Sequence, residues 1–132
     1  MLFTRECDYA IRMIRALSSQ EAISVPKICQ MEHLPSAMAY KIARKLEKSG
    51  LLKSYRGSAG GYALARSLSS ISLYDICKII SPDILTFECM KKGHYCPMNR
   101  SDAPCKVHDE FSRLQKILIQ ELKGKSMADI LG

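Results

Sequence analysis

Between Cys89 and His108 the chain reads CMKKGHYCPMNRSDAPCKVH, a stretch that holds three of the six cysteines and two of the three histidines. The spacing is Cys89-x6-Cys96-x8-Cys105-x2-His108. Thiols grouped in this way can form a disulfide loop, hold a metal, or pack as core side chains. These gaps are wider than the CxxC knuckles of zinc ribbons, and they suit a loop wrapped around a bulkier metal cluster better than a compact tetrahedral zinc site. Cys105 and His108 fall at i and i+3 of a predicted helix and so on one face, which suits two ligands of one centre or one ligand beside a spare. His94 reads as a solvated residue. Cys29 and Cys77 fall in the apolar stripes of predicted helices and read as core thiols. Cys7, beside Asp8, has no place that the sequence assigns, and His33 reads as a turn residue.

The rest of the chain must position that cluster. At 132 residues it is long enough for one domain with a real core. No apolar run approaches the roughly 18–20 residues of a membrane span. The N-terminal MLFTRECDYAIRM carries Arg5, Glu6, Asp8 and Arg12 where a signal peptide needs an unbroken apolar core. The expectation is a cytoplasmic protein without a membrane partner, whose cysteines are reduced thiols, ligands or redox sensors and not structural staples. The net charge of +7 is uneven: residues 1–66 hold eleven Lys/Arg against five Asp/Glu, and residues 67–132 hold nine against eight. A basic first half points to nucleic acid or an anionic surface as partner.

Phe3, Tyr9, Ala10, Met13, Ile14 and Leu17 recur close to a 3.6-residue period and predict an amphipathic helix over residues 3–18. A second helix starts behind Ser24 as N-cap with Pro26 in its first turn, and a third runs from Pro35 to Gly50. Two β-prone runs, Leu51–Tyr55 and Tyr62–Ala65, flank Gly57, Gly60 and Gly61 and predict a glycine-tipped hairpin. Ser70–Ile80 reads as a fourth helix. From about Ala103 to Lys123, Val107, Phe111, Leu114, Ile117, Leu118 and Leu122 step by three and four and predict a long helix. Its apolar face is too long for so small a core; pairing of two copies, or folding back over the first helix, would cover it.

The fold class expected is mainly α: a winged helix-turn-helix with a small β-hairpin wing and a long C-terminal dimerisation helix. Residues 1–80 form the DNA-binding head and 81–132 the cysteine-bearing loop and dimer helix, in one continuous domain. In that order of elements the second helix of the pair enters the major groove and the hairpin lies along an adjacent groove or backbone. Between Lys41 and Arg56 there are six basic residues and only Glu47 opposing them. Ala37, Tyr40, Lys41 and Arg44 share the face opposite Ile42 and Leu46 and are the candidates for base edges. Lys45 and Lys48 are candidate backbone clamps. Ser36 at the helix start and Arg56 and Ser58 in the wing complete the set.

The segment KSGLLKSYRGSAGGYALAR, residues 48–66, resembles the helix end and wing of the IscR-type regulators, the Rrf2 family of bacterial winged-helix transcription factors, in its Gly-Leu, Ser-x-Arg-Gly and Gly-Gly-Tyr-x-Leu-Ala runs. The likeness extends to FTRECDYAIRMIRAL with its Tyr9–Ala10 pair, to SLSSISLYDICKII and to SMADIL, and so covers nearly the whole chain. The resemblance implies a homodimer with crossed long helices that binds a pseudo-palindromic operator, with Arg56 as a wing contact. Sensor members of that family carry three cysteines in this region and bind an iron–sulfur cluster. It therefore implies Cys89, Cys96 and Cys105 as ligands of a [2Fe-2S] or [4Fe-4S] cluster. The IscR pattern offers His108 as fourth ligand, and the nitric-oxide sensor pattern offers Asp8 from the other protomer. Both inter-cysteine gaps are longer than is usual in the family, so cluster type and fourth ligand stay open.

The function implied is a dimeric regulator that senses redox state, nitric oxide or iron supply. The alternative is a cluster-free regulator of the same fold that uses a thiol–disulfide switch or a partner protein. A small metal-dependent enzyme or electron carrier is disfavoured, because no Ser/His/Asp arrangement or phosphate loop is present and Gly60–Gly61 is explained by a wing turn.

Overall fold

A computed structural model describes residues 3–19, 21–83 and 87–132. Helix α1 spans Arg5–Ala16, α2 Val25–Glu32 and α3 Ser36–Lys48. Strands β1 (Leu52–Tyr55) and β2 (Gly61–Leu64) follow, then α4 (Leu73–Ile80), α5 (Lys106–Lys123) and α6 (Met127–Leu131). This mostly helical chain with one antiparallel hairpin and a long C-terminal helix has the winged helix-turn-helix architecture.

Local chemistry explains the boundaries. Thr4 caps α1 by accepting the Cys7 N–H at 3.2 Å, so Phe3 lies outside the helix and is exposed instead of joining the apolar stripe. Ser24 caps α2, accepting from the Lys27 N–H, and Pro26 fills the first turn. The helix ends at His33, whose φ of 55° is left-handed, and Pro35 then starts α3. That reversal is the helix-turn-helix elbow. Gly50, at φ +86°, turns the chain out of α3 and into the hairpin.

The wing pairs Leu52 with Leu64, Lys53 with Ala63, Ser54 with Tyr62 and Tyr55 with Gly61. It is anchored from an unexpected side: Ile23 and Tyr62 exchange two backbone hydrogen bonds of 2.9 Å, a single antiparallel bridge that ties the segment before α2 to β2. A Cβ at Gly61 would overlap the backbone of Ile23, which is why glycine stands there.

The fourth helix starts at Leu73 and not at Ser70, because Ser72 and Asp75 form a reciprocal capping box and residues 68–70 turn as a separate 3₁₀ element. The same device, Ser126 with Asp129, starts α6, and the Met127 N–H donates to the Ile71 carbonyl at 2.7 Å. The C-terminus is thereby pinned beside the start of α4. Ser72→Ala is expected to cost about 1 kcal/mol, a loss of roughly 4 °C in Tm readable by thermal denaturation.

The core gathers Met13 and Ile14 of the first helix and Leu17 just beyond it with Ile28, Ile42, Leu46, Leu51, Ile71 and Ile76, all fully buried. From residues 81–132 only Leu122 and Met127 are buried in it among the described residues. Helix α5 begins at Lys106, later than the sequence predicts, with Cys105 as its N-cap residue. It packs on α4, and Leu118 and Ile119 lean on the core while Val107, Leu114 and Ile117 remain exposed. The apolar stripe is thus split: one part covers the chain's own head and the rest faces outward.

Candidate functional site

Helix α3 buries Ala39, Ile42, Ala43 and Leu46 against α1, α2 and α4, which leaves Ser36, Ala37, Tyr40, Lys41, Arg44 and Lys48 exposed and Lys45 half-buried. The opposition of the two faces follows from the helical period alone. The wing stands beside α3: Ser54 donates to Glu47 Oε1 at 2.6 Å, tying β1 to the last turn of the helix. Tyr62 is half-buried on the same side, and burial, followed by the Glu47 carboxylate, pushes its phenol up. Lys53, Tyr55, Arg56 and Ser58 are all exposed, with the Lys53 ammonium 5.8 Å from the centre of the Tyr55 ring. The exposed Tyr55 is a wing-surface aromatic that reading the sequence for charge passes over.

One charge relation differs from the sequence count. Glu47 is not the sole carboxylate opposing the cations of α3, because the fold brings Glu6 of α1 to Lys41 at 2.9 Å and to Lys45 at 3.2 Å. The two ammonium groups, Lys41 first, hold the Glu6 carboxyl below the usual carboxylate range. Arg44, Lys48 and Arg56 form no ion pair among the described residues. Lys78 of α4 also joins the basic region: with Lys45, Lys48 and Ser49 it borders an open hollow of about 450 Å³ floored by Ile79, Ile80 and Pro82. No sequence signal connects Lys78 to α3.

The cysteine stretch runs as a loop from a 3₁₀ turn, Glu88–Met90, to the start of α5. Phe87 stacks on Phe111 with ring centres 3.9 Å apart and planes 6° from parallel, which clips the loop to α5. Cys89, Cys96 and Cys105 are each half-buried and unoxidised. The Cys105 N–H donates to Asn99 Oδ1 at 2.9 Å, and its thiol sits at the N-terminal end of an 18-residue helix. One turn on, the Nδ1 atom of His108 is buried without a hydrogen-bond partner. His94 is exposed.

The five candidate ligands are not gathered within one chain. Among the described residues no three His, Cys, Asp or Glu side chains converge as a set able to hold a metal ion. Asp8 is exposed on α1 and paired with Arg12 at 3.0 Å, away from the thiols in its role here. Cys7 turns inward: its thiol receives a hydrogen bond from Thr4 Oγ1 at 3.3 Å, donates to Ser81 Oγ at 3.7 Å, and meets the equally buried Cys77. Burial, and then the neighbouring Cys7, push the Cys77 thiol up to about 12. Burial likewise pushes Cys29 up. Cys7 and Cys77 are packing groups of the core, while Cys29 is half-buried like the three loop thiols.

A family model described as Rrf2, iron-dependent transcriptional regulator, matches residues 3–132. The protein aau3 of Rhizobium meliloti is 26% identical over 134 aligned residues, covering 99% of this chain and 85% of its own. Among solved structures, CymR, the global cysteine regulator of B. subtilis, superposes with a TM-score of 0.79 at 18% identity, covering 98% of this chain and 95% of its own. The IscR of T. potens does so with a TM-score of 0.75 at 21% identity, covering 97% and 84%.

Proposed function

We infer, because this chain belongs to the Rrf2 family of winged-helix regulators related to IscR, NsrR and CymR, that it binds a pseudo-palindromic operator as a homodimer. In the family these proteins are DNA-binding transcriptional regulators and not enzymes. The observation that carries the reading is the exposed cationic face of α3 set beside the wing. Tyr40, Lys41 and Arg44, with Ser36 and Ala37 at the leading end, would meet base edges. Lys45, Lys48, Arg56 and Ser58 would hold phosphates. Residues 1–80 act as the head and 81–132 as the sensing and pairing part, of which 1–2, 20 and 84–86 lie outside the described residues. No helix among the described residues is long and apolar enough to cross a membrane.

The test is DNA binding across a salt series. Alanine at Lys41, Arg44, Lys45 or Arg56 is expected to weaken operator binding, and each phosphate-contacting cation lost should flatten the salt slope by about one unit. Alanine at all four with affinity and slope unchanged would reject the assignment.

The regulatory signal is assigned to the loop. The chemistry of the donors fits an iron–sulfur cluster: three half-buried free thiols, one of them at the start of α5, and an orphaned imidazole nitrogen at His108. Cys89, Cys96 and Cys105 would hold it, with His108 or the other protomer's copy of Asp8 as fourth ligand. Such a cluster would supply a centre sensitive to redox state, nitric oxide or iron supply. Since one chain does not gather these groups, binding requires the loop to close up, and the Phe87–Phe111 contact passes that movement to α5. The second reading, a cluster-free switch through the same thiols or a partner protein, is favoured by the separation of the ligands in the single chain and by the likeness to a cysteine regulator. Anaerobic purification with an absorption spectrum and iron and sulfide analysis separates the two.

A further inference from the structure

We propose that Glu6 is an affinity-setting residue of the DNA-binding face, an internal carboxylate that competes with DNA phosphates for Lys41 and Lys45. The proposal rests on the reading of α3 as the DNA-contacting helix.

The geometry is that of one anion shared between two cations. Oε1 of Glu6 lies 2.9 Å from Lys41 Nζ, and Oε2 lies 3.2 Å from Lys45 Nζ. The lysines stand one helical turn apart on α3, and each takes a different carboxylate oxygen. Glu6 is carried in the first turn of α1, a helix capped by Thr4 and buried against α3 through the core, so the carboxylate is delivered from a rigid element. All three side chains keep contact with solvent: Lys41 is 55% exposed, Lys45 39% and Glu6 26%. Exposed pairs of this kind contribute little to folding. Their consequence falls instead on an approaching polyanion.

With Glu6 in place the three groups present one net positive charge where two lysines would present two. A base edge or phosphate reaching Lys41, or a phosphate reaching Lys45, must displace the carboxylate or share the ammonium with it, and fewer counterions are released from the DNA. The term reduced is the sequence-independent one. Arg44, without an ion pair among the described residues, keeps its full charge for base edges. Glu6 thereby lowers attraction to any duplex at Lys41 and Lys45 while leaving Arg44 free for direct readout, which raises discrimination between operator and bulk DNA.

The experiment is a salt titration of binding to a short random-sequence duplex, with far-UV circular dichroism verifying the fold of each variant. Glu6→Gln is expected to steepen the slope of log K against log salt by about 0.9 and to tighten binding roughly eightfold at 0.1 M salt, the effect of one further phosphate neutralised. Glu6→Asp, which keeps the charge, should stay near the wild type. In a Lys41→Ala/Lys45→Ala background most of the Glu6→Gln gain should disappear. A flatter slope in Lys41→Ala/Lys45→Ala with no change in Glu6→Gln overturns the proposal and leaves the DNA-contact reading intact. Weaker binding by a folded Glu6→Gln also overturns it, since Glu6 would then position the lysines. An unchanged slope in Lys41→Ala/Lys45→Ala removes the underlying reading itself.

Discussion

Leu114→Asp and Ile117→Asp are each expected to convert a dimer into folded monomers. Leu114 and Ile117 are 43% and 44% exposed in the single chain, and Val107, two and three turns earlier on α5, is exposed as well. Among the described residues no element of the same chain covers them, whereas Leu118 and Ile119 lean on the head's core. A second copy of α5 laid against this stripe removes it from water on both chains at once. An unpaired carboxylate placed there costs several kcal/mol, and two-fold symmetry introduces it twice, so the dimer constant should rise by about a thousandfold or more. Sedimentation at micromolar concentration measures it directly. Leu118→Asp serves as the contrast: because Leu118 packs on its own head, that variant should lose stability as well as dimerisation. A folded wild-type monomer at micromolar concentration would overturn the assignment of the stripe.

The cysteine series should divide cleanly into two groups. Cys89→Ala, Cys96→Ala and Cys105→Ala are each expected to abolish the visible absorption of anaerobically purified protein while the far-UV spectrum stays native, since all three lie in a loop outside the core. Cys7→Ala, Cys29→Ala and Cys77→Ala should retain the colour. Cys7 and Cys77 are fully or almost fully buried and face each other between α1 and α4, so their loss should cost about 1 kcal/mol or somewhat more. His108→Ala and Asp8→Ala then identify the fourth ligand. An effect confined to His108→Ala would match its buried, unpartnered Nδ1, and an effect confined to Asp8→Ala would require release of its pair with Arg12. Colourless wild-type protein, with neither iron nor sulfide, would move the switch to the thiols themselves.

The elements of this fold were readable because their signals are local. Ser24 and Pro26 start α2 through contacts within four residues, and His33–Pro35 breaks the chain between α2 and α3 by backbone conformation. The burial of Ile42 and Leu46 opposite Tyr40, Lys41 and Arg44 follows from the 3.6-residue period. The likeness of the wing segment to the Rrf2 pattern belongs to the same class of short-range information, as does the grouping of three cysteines in one loop. The starts of α4 and α5 lie three residues later than the apolar periodicity predicts, each directly after its N-cap residue, Ser72 and Cys105.

What only the tertiary structure decided are the contacts between residues distant in the chain, whose pairing depends on how helices cross and not on any spacing. Glu6 meets Lys41 and Lys45 across 35 and 39 positions because α1 and α3 pack side by side. That contact changes the charge of the exposed face of α3. Cys7, unplaced by sequence, is turned into the core against Cys77 because α1 lies on α4. Ile23 bridges to Tyr62 of β2 because Gly61 admits its backbone. The apolar stripe of α5 is continuous in sequence, yet the way α5 packs on α4 assigns Leu118 and Leu122 to the chain's own head and leaves Leu114 and Ile117 exposed. Helical periodicity determines which residues share a face; the packing of the surrounding helices determines what that face meets.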